Sequence, residues 1–224
     1  MSFSSLFGAR SRMVTEADAL PGRPVRPFHV PAANQVLGKP MEEPWPDGVE
    51  ILYVGLGCFW GAEKRFWRLP GVYSTAVGYQ GGYTPNPTYD EVCTGRTGHA
   101  ENVLVAYEPT KVSTYDVLKV FWENHDPTQG YRQGNDVGTQ YRSAVYWTTT
   151  EQAQLAERTA RAYDAILRGK GYGEVTTEIG PAADRPFYYA EEYHQQYLYK
   201  VPHGYDCHAE TGISLPPLAQ LPPL

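Results

Sequence analysis

Cys58 is the residue whose type and surroundings are best suited to nucleophilic chemistry. It lies in the stretch GLGCFWGAEK, residues 55–64, between an apolar run and a segment with helical spacing of apolar residues. A thiol at a helix N-terminus faces free backbone N–H groups and the positive end of the helix dipole, which favour a thiolate. Its pKa can then fall by more than roughly one unit from about 8.5. The neighbouring glycines would let a ligand approach the sulfur, although a buried and inert cysteine remains an alternative.

The chain has two further cysteines, Cys93 and Cys207, and no C-x-x-C pair. Three cysteines do not form a disulfide framework, and we expect neither a structural metal nor a thioredoxin-type redox pair. Cys93 lies between apolar neighbours without a basic partner, which predicts a structural role. Cys207 lies in a segment that we expect to be mobile, and such a segment could bring the thiol within the ~7 Å between Cα atoms that a disulfide requires. An exposed thiol without a role is the alternative for Cys207.

The composition argues against several classes of protein. The 224 residues are 42% apolar, enough to bury a core without disulfides. The formal net charge is −6 and Lys and Arg do not cluster, which argues against nucleic-acid binding. Apolar runs are too short to span a membrane or to form a signal peptide. We therefore expect a cytoplasmic protein that does not bind a membrane and, by default, a monomer.

The elements that must position Cys58 follow from hydrophobic periodicity. The sequence predicts strands at 50–56, 72–79, 100–107, 142–147 and 174–179, and helices at 58–67, 113–122, 149–167 and 190–199. Two of these helices begin with capping-box pairs, Ser113 with Asp116 and Thr149 with Gln152. The polar loop at 126–140 is longer than an ordinary connection, and such loops are often functional.

The order of these elements predicts the organisation of the chain. Strands and helices alternate without repeats or linkers, which indicates a layered α+β or α/β fold with a mixed sheet. The proline-rich residues 1–48 are expected to form an extended N-terminal arm that lies on the body. Residues 49–200 form the predicted catalytic domain, and residues 201–224 a flexible C-terminal tail.

The motif GCFWG at 57–61 resembles the signature of the A-type peptide methionine sulfoxide reductases. The similarity continues in GYTPNPTYDEVCTGRTGHAE (82–101), FWENHDPTQGYRQGNDVGTQYRSAVY (121–146) and FYYAEEYHQQYL (187–198), and it covers most of residues 50–216. The resemblance implies an α+β two-layer sandwich with a mixed sheet of ferredoxin-like type, between long irregular terminal segments. It also implies reduction of the S epimer of methionine sulfoxide, free or in proteins.

The resemblance also implies roles for individual residues. Cys58 matches the nucleophile and Cys207 the resolving cysteine, although Cys207 stands one residue later than the G-Y-C of many members, after Gly204, Tyr205 and Asp206. Serine occupies the place of a second recycling cysteine, which favours a cycle with two cysteines. The remaining matches are the rings that hold the substrate methyl group, Phe59 and Trp60, and the polar groups of the pocket, Tyr89, Glu101, Asp136 and Tyr141.

These residue types suit the chemistry of a sulfoxide, which reacts with a thiolate only when its oxygen is protonated or hydrogen-bonded. Glu101 could supply the proton if burial keeps its carboxyl neutral. Tyr89 and Tyr141 could donate hydrogen bonds to the oxygen without carrying a charge. The oxygen would end as a sulfenic acid on Cys58, which Cys207 would convert to a disulfide. The family implies thioredoxin as the external reductant, and no cofactor is expected.

Two other functions remain open from the sequence. The aromatic, glycine-framed pocket could bind a methyl-bearing peptide without catalysis, with Cys58 as a packing residue. His99 or His194 could instead pair with Cys58 in a cysteine hydrolase, which would need a third group to orient the histidine. The sequence identifies no such group.

Overall fold

The computed structural model of the chain describes residues 12–206 and 209–224. A six-stranded sheet has the order β7-β6-β1-β3-β2-β8, in which only the β6–β7 pair is parallel. Its strands are β1 Glu50–Leu56, β2 Val72–Gln80, β3 Ala100–Tyr107, β6 Ser143–Trp147, β7 Glu178–Pro181 and β8 Tyr188–Tyr189. A separate hairpin is formed by β4, Arg132–Gln133, and β5, Asp136–Val137. This mixed sheet with packed helices confirms the predicted α+β class.

The helices are α1 Phe59–Trp67, α2 Tyr89–Cys93, α3 Thr114–Glu123, α4 Thr150–Gly169 and α5 Tyr197–Lys200. Both predicted capping boxes are confirmed, at the starts of α3 and α4. A third capping box, Thr88 with Glu91, starts α2, a helix that the sequence analysis did not predict. None of the helices in the described part of the chain is long and apolar enough to cross a membrane.

Alternate residues of the central strands belong to two different cores. On β1, Leu52 and Val54 pack against the helices, whereas Ile51 and Tyr53 belong to a second cluster on the opposite face. Residues of the 12–48 segment complete that second cluster, including the buried Val30 and Met41. All eight residues of β3 are therefore buried, because both faces of the strand are covered.

The predicted helix at 190–199 is wrong except for its end. Turns occupy residues 192–196, and Gln196 has a left-handed φ of 48° just before α5 begins. The side chain of Gln195 bonds the backbone N–H and C=O of Val77, at 2.9 and 2.8 Å, as a neighbouring strand would. Side-chain bonds to the sheet thus replace the backbone bonds of a helix. The predicted strand at 174–179 also begins later, at Glu178.

The division into arm, domain and tail remains a prediction, but contacts of both terminal segments are visible. Arg23 forms an ion pair with Glu91 at 2.6 Å, which ties residues 12–48 to α2. At the other end, Leu215 and Leu221 are buried, and the Leu215 N–H donates to Glu123 of α3 at 2.8 Å. The flexibility that we expect of residues 201–224 remains a prediction.

Candidate active site

Cys58 lies between the end of β1 and the start of α1, as its N-cap residue. Gly57 precedes it with a φ of 97°, a left-handed conformation that favours glycine. A Cβ atom at Gly57 would also lie 2.7 Å from the side chain of Gln133. This glycine is therefore required by the turn and by Gln133 rather than by an approaching ligand.

Cys58 is buried, with 9% of the residue exposed, and the pKa of its thiol is raised well above the ordinary value. Burial is the largest cause, followed by the charge of Glu101, while hydrogen bonds from the backbone of Trp60 and Gly61 act in the opposite direction. The predicted downward shift is therefore wrong in its net direction, because desolvation outweighs the helix N-terminus. The raised pKa favours the protonated thiol at neutral pH.

Glu101 lies on β3, opposite Tyr79 of β2, and its side chain is buried against the N-terminus of α1. Its Oε2 accepts the backbone N–H of Phe59 at 3.0 Å. Burial raises the pKa of Glu101 to about 8, and the charge of Asp136 adds to this shift. The carboxyl therefore holds its proton at neutral pH, next to the residue that follows Cys58.

Tyr89, Asp136 and Tyr141 come from three different elements. Tyr89 is the first residue of α2, Asp136 lies on β5, and Tyr141 ends a 3-10 turn at Thr139–Tyr141. Burial and the charge of Glu101 raise the pKa of both tyrosines, which keeps their hydroxyl protons available for donation. The Oδ1 atom of Asp136 accepts a hydrogen bond of 2.9 Å from the hydroxyl of Tyr205. The structure thus gathers all of the predicted polar groups around Glu101.

An aromatic wall adjoins these polar groups. The ring of Phe59 is buried and lies 6.4 Å from that of Tyr89, between centroids, in a stacked arrangement. Trp60 stacks on Tyr197 at 4.0 Å and on His194 at 5.7 Å. Its Nε1–H donates to Nδ1 of His194 at 3.1 Å, which fixes the orientation of the indole. This wall is the surface expected from the resemblance for holding a methyl group.

Sequence reasoning did not assign His194, Tyr197 or Glu191 to the pocket. Glu191 accepts both the backbone N–H of Tyr89 and the hydroxyl of Tyr79, each at 2.8 Å. All three residues belong to the 187–198 stretch, whose similarity to the family was the available signal.

Both candidate histidines have hydrogen-bond partners other than Cys58. Nδ1 of His99 accepts the backbone N–H of Gly82 at 3.0 Å, and Nε2 lies 2.7 Å from the carbonyl oxygen of Thr84. His194 accepts from Trp60, and burial followed by the charge of Lys200 lowers its pKa to about 4. Neutral rings with these partners do not favour the cysteine-hydrolase alternative.

The structure describes Cys93, one of the two other cysteines. Cys93 is half-buried at the end of α2, and its side chain hydrogen-bonds with the side chain of Tyr89. Cys207 lies outside the described residues. On either side of it in the sequence, Asp206 and Glu210 form ion pairs with α1, at 2.8 Å to Lys64 and 2.7 Å to Arg65.

A buried carboxylate outside the pocket ties α1 to the pocket wall. Glu63 accepts the hydroxyl of Thr75 at 2.9 Å and two N–H groups of Gln196, each at 2.8 Å. Burial raises the pKa of Glu63 to about 7, against the opposing effect of these hydrogen bonds. Glu63 thereby connects the helix that begins after Cys58 with β2 and with the segment that carries His194.

We expect Glu63→Ala to lower the free energy of unfolding by about 1–3 kcal/mol, because it leaves buried donors of Thr75 and Gln196 without an acceptor. Urea denaturation at pH 7 measures the change. The exposed Glu192 provides the matched control, since its replacement by alanine should change stability by less than about 0.5 kcal/mol. Equal effects of the two substitutions would show that the Glu63 hydrogen bonds contribute no net stability.

The described residues contain no group of three or more His, Cys, Asp or Glu side chains that could hold a metal ion. The arrangement instead combines a thiol, a protonated carboxyl and an apolar wall. Such a set can offer a sulfur nucleophile and a proton to a substrate that also carries an apolar group.

Comparisons with known proteins agree with this geometry. The family model described as peptide methionine sulfoxide reductase matches residues 50–219. The peptide methionine sulfoxide reductase MsrA of Rhodospirillum centenum is 61% identical over 92% of this chain and 93% of its own length. MsrA 1 of Synechocystis sp. is 57% identical, with 96% of each chain covered.

A solved structure extends the likeness to three dimensions. The structure of methionine sulfoxide reductase A of Corynebacterium diphtheriae has a TM-score of 0.83 and 49% sequence identity to this chain. The match covers 92% of this chain and 99% of that one. The chain therefore belongs to the peptide methionine sulfoxide reductase family and, within it, to the A type.

Proposed function

We propose that this methionine sulfoxide reductase acts on the S epimer, free or in proteins, with Cys58 as its nucleophile. The observation that carries the proposal is the pairing of Cys58 with Glu101. A buried thiol lies at the start of α1, and a buried carboxyl that bonds the next backbone N–H keeps its proton up to about pH 8. The pair supplies the nucleophile and the acid that a sulfoxide requires.

In the proposed first step, the sulfur of Cys58 attacks the sulfoxide sulfur while Glu101 protonates the oxygen. The attack forms a bond between the two sulfur atoms. The sulfur–oxygen bond of the substrate then breaks and the oxygen is transferred as hydroxide to the sulfur of Cys58, while the sulfur–sulfur bond breaks and leaves its electron pair on the thioether. Cys58 thus ends as a sulfenic acid. The carboxylate of Glu101 recovers the proton that the thiol gives up. One thiol and one sulfoxide thus become one sulfenic acid and one thioether, so the substrate is reduced and Cys58 is oxidised.

Selectivity for one epimer follows from three contacts around the sulfoxide: one to its methyl group, one to its oxygen and one to the sulfur atom itself. Phe59 and Trp60 would hold the methyl group, the hydroxyls of Tyr89 and Tyr141 would donate to the oxygen, and Cys58 would approach the sulfur itself. Three fixed directions around a stereocentre accept only one hand. The mirror-image sulfoxide would place its oxygen against the aromatic wall or its methyl group against the hydroxyls, where burial without a partner is unfavourable.

We propose that Cys207 completes the cycle by attacking the sulfenic acid, which releases water and forms a Cys58–Cys207 disulfide. The ion pairs of Asp206 with Lys64 and of Glu210 with Arg65 support this proposal, since they hold the chain on both sides of Cys207 against α1. An external dithiol, thioredoxin in this proposal, then reduces the disulfide by exchange. The same proposal includes a location in a reducing compartment such as the cytoplasm. It also includes a monomeric enzyme that needs no prosthetic group.

A thiol count tests the proposed cycle. Fully reduced protein is mixed with excess methionine S-sulfoxide in the absence of reductant, and free thiols and disulfides are then mapped by mass spectrometry. We expect one methionine per enzyme, a Cys58–Cys207 bond, and no response to the R epimer. Survival of all three thiols would reject the reaction and favour a non-catalytic pocket. Loss of one thiol without a disulfide would keep Cys58 as the nucleophile and reject Cys207 as its partner.

Replacement of Cys207 with serine is expected to stop the enzyme after one turnover with thioredoxin as reductant, because a sulfenic acid would remain on Cys58. Steady-state and single-turnover assays separate the two steps, and the single-turnover rate should not change. Cys93→Ser is the matched control and should recycle normally. Sustained turnover by Cys207→Ser together with loss of recycling in Cys93→Ser would transfer the resolving role to Cys93.

A further inference from the structure

Tyr193 is a large aromatic side chain that is 60% exposed and directly precedes a buried pocket residue, His194. Its ring meets the His194 ring edge-on, with centroids 5.2 Å apart and planes at 83°. It also lies 5.5 Å from the ring of Tyr197, and the two tyrosine side chains share a hydrogen bond. These contacts hold the ring in place although most of it faces solvent.

Tyr193 is the outer end of a continuous aromatic surface. Tyr197, its neighbour, is 8% exposed and stacks on Trp60 at 4.0 Å, and Phe59 beyond is 1% exposed. Exposure is lowest at Phe59 and highest at Tyr193, so this row of rings leads from the wall beside Cys58 to the surface of the molecule. Neither the proposed chemistry nor the proposed binding of the methyl group uses the outer end of this surface.

The separation of Tyr193 from the wall suits a neighbouring residue of a peptide substrate. The two ring-to-ring steps, from Trp60 to Tyr197 and from Tyr197 to Tyr193, measure 4.0 and 5.5 Å. Successive Cα atoms of a peptide are about 3.8 Å apart. A side chain one or two positions from the oxidised methionine can therefore reach Tyr193 while the methionine side chain lies at Trp60.

We propose that Tyr193 determines specificity for polypeptide substrates by contacting an apolar side chain next to the oxidised methionine. A tyrosine ring that is already held by two neighbours offers a flat apolar face at little cost in conformational entropy. Free methionine sulfoxide has no flanking side chain and cannot make this contact. The inference rests on the proposed function, since it concerns substrates of the same site.

The test compares Tyr193→Ser with Tyr199→Ser on three substrates. Tyr199 is a matched control, because it is also exposed, at 55%, and makes none of the ring contacts that join Tyr193 to the pocket. The substrates are free methionine S-sulfoxide and two blocked tripeptides with the S-sulfoxide in the centre, one flanked by leucine and one by serine. Initial rates with thioredoxin give kcat and KM separately.

Tyr193→Ser should raise KM for the leucine-flanked peptide by about 5–10-fold, while kcat and both constants for free methionine sulfoxide change by less than about twofold. The serine-flanked peptide should behave like the free amino acid, and Tyr199→Ser like the unmodified enzyme. Equal losses on all three substrates would make Tyr193 a structural residue and overturn the proposal, as would an unchanged KM for the leucine-flanked peptide. Failure of the unmodified enzyme to reduce any of the substrates would instead overturn the proposed function.

Discussion

Replacement of Cys58 with serine is expected to abolish the reduction of methionine sulfoxide while leaving the fold intact. A hydroxyl is a much weaker nucleophile toward sulfur than a thiolate, and it cannot form a sulfenic acid. The loss in the single-turnover rate should be at least ~10³-fold. Serine is close to cysteine in size, and the side chain lies at the N-cap of α1, where a hydroxyl is well tolerated.

Two measurements check this expectation. Rapid-quench assays determine methionine released per enzyme, and urea denaturation determines whether the variant is as stable as the unmodified protein. Cys93→Ser controls for the loss of a thiol near the pocket, since its side chain hydrogen-bonds with Tyr89 but is not in the proposed reaction. Methionine release at a normal rate by Cys58→Ser would transfer the nucleophilic role to another residue.

Replacement of Glu101 with glutamine is expected to slow sulfenic acid formation by about 10²–10⁴-fold, because an amide cannot give a proton to the leaving oxygen. Glutamine preserves the shape of the side chain and an oxygen that can accept the Phe59 N–H. The defect should therefore lie in the single-turnover rate and not in KM. An unchanged single-turnover rate would exclude Glu101 as the acid.

The pH dependence distinguishes an acid from a merely structural carboxyl. Since the pKa of Glu101 is raised to about 8, the protonated form predominates below that pH. The contribution of Glu101 to the rate should therefore fall as the pH rises through about 8, and this fall should be missing in Glu101→Gln. A decline above pH 8 that persists in the variant would have to come from another group.

The same shift has a consequence for stability. Between the ordinary pKa of a glutamate, about 4.3, and a pKa of about 8, the folded chain retains a proton that the unfolded chain has released. The free energy of unfolding contributed by this group therefore falls as pH rises through that window, by at most about 1.4 kcal/mol per pH unit. Glu101→Gln should be more stable than the unmodified protein at pH 9, and the gain should shrink toward pH 5. Urea denaturation at these two pH values measures the difference.

The sequence by itself determined the elements that depend on neighbours in the chain. The strand ending at Leu56 and the helix starting after Cys58 follow from apolar spacing, and the starts of α3 and α4 from their capping residues. The position of Cys58 at a helix N-terminus is likewise a local property. Similarity to a family then identified residues of the pocket that lie on separate elements, such as Tyr89 and Tyr141.

The tertiary structure decided what depends on distant residues. Periodicity predicted a helix at 190–199. Instead, the side chain of Gln195 hydrogen-bonds to β2, and Gln196 turns the chain with a left-handed φ. Contacts with distant residues therefore outweigh the helical preference of the local sequence. From the sequence alone, the role of Glu101 depended on burial, which only the structure could establish. Glu101 is buried because helices cover one face of β3 and residues 12–48 cover the other.

Burial also determines which side chains of the site, Cys58 and Glu101 among them, hold their protons. Local reasoning from the helix N-terminus predicted a lowered pKa for Cys58, whereas the pKa is raised. Hydrogen bonds at the helix start act over one turn, but the loss of water around a thiol depends on every element packed against it, including β3 with Glu101. The sequence could therefore indicate which residues take part in the chemistry, and only the packing of the whole chain set which of them hold their protons.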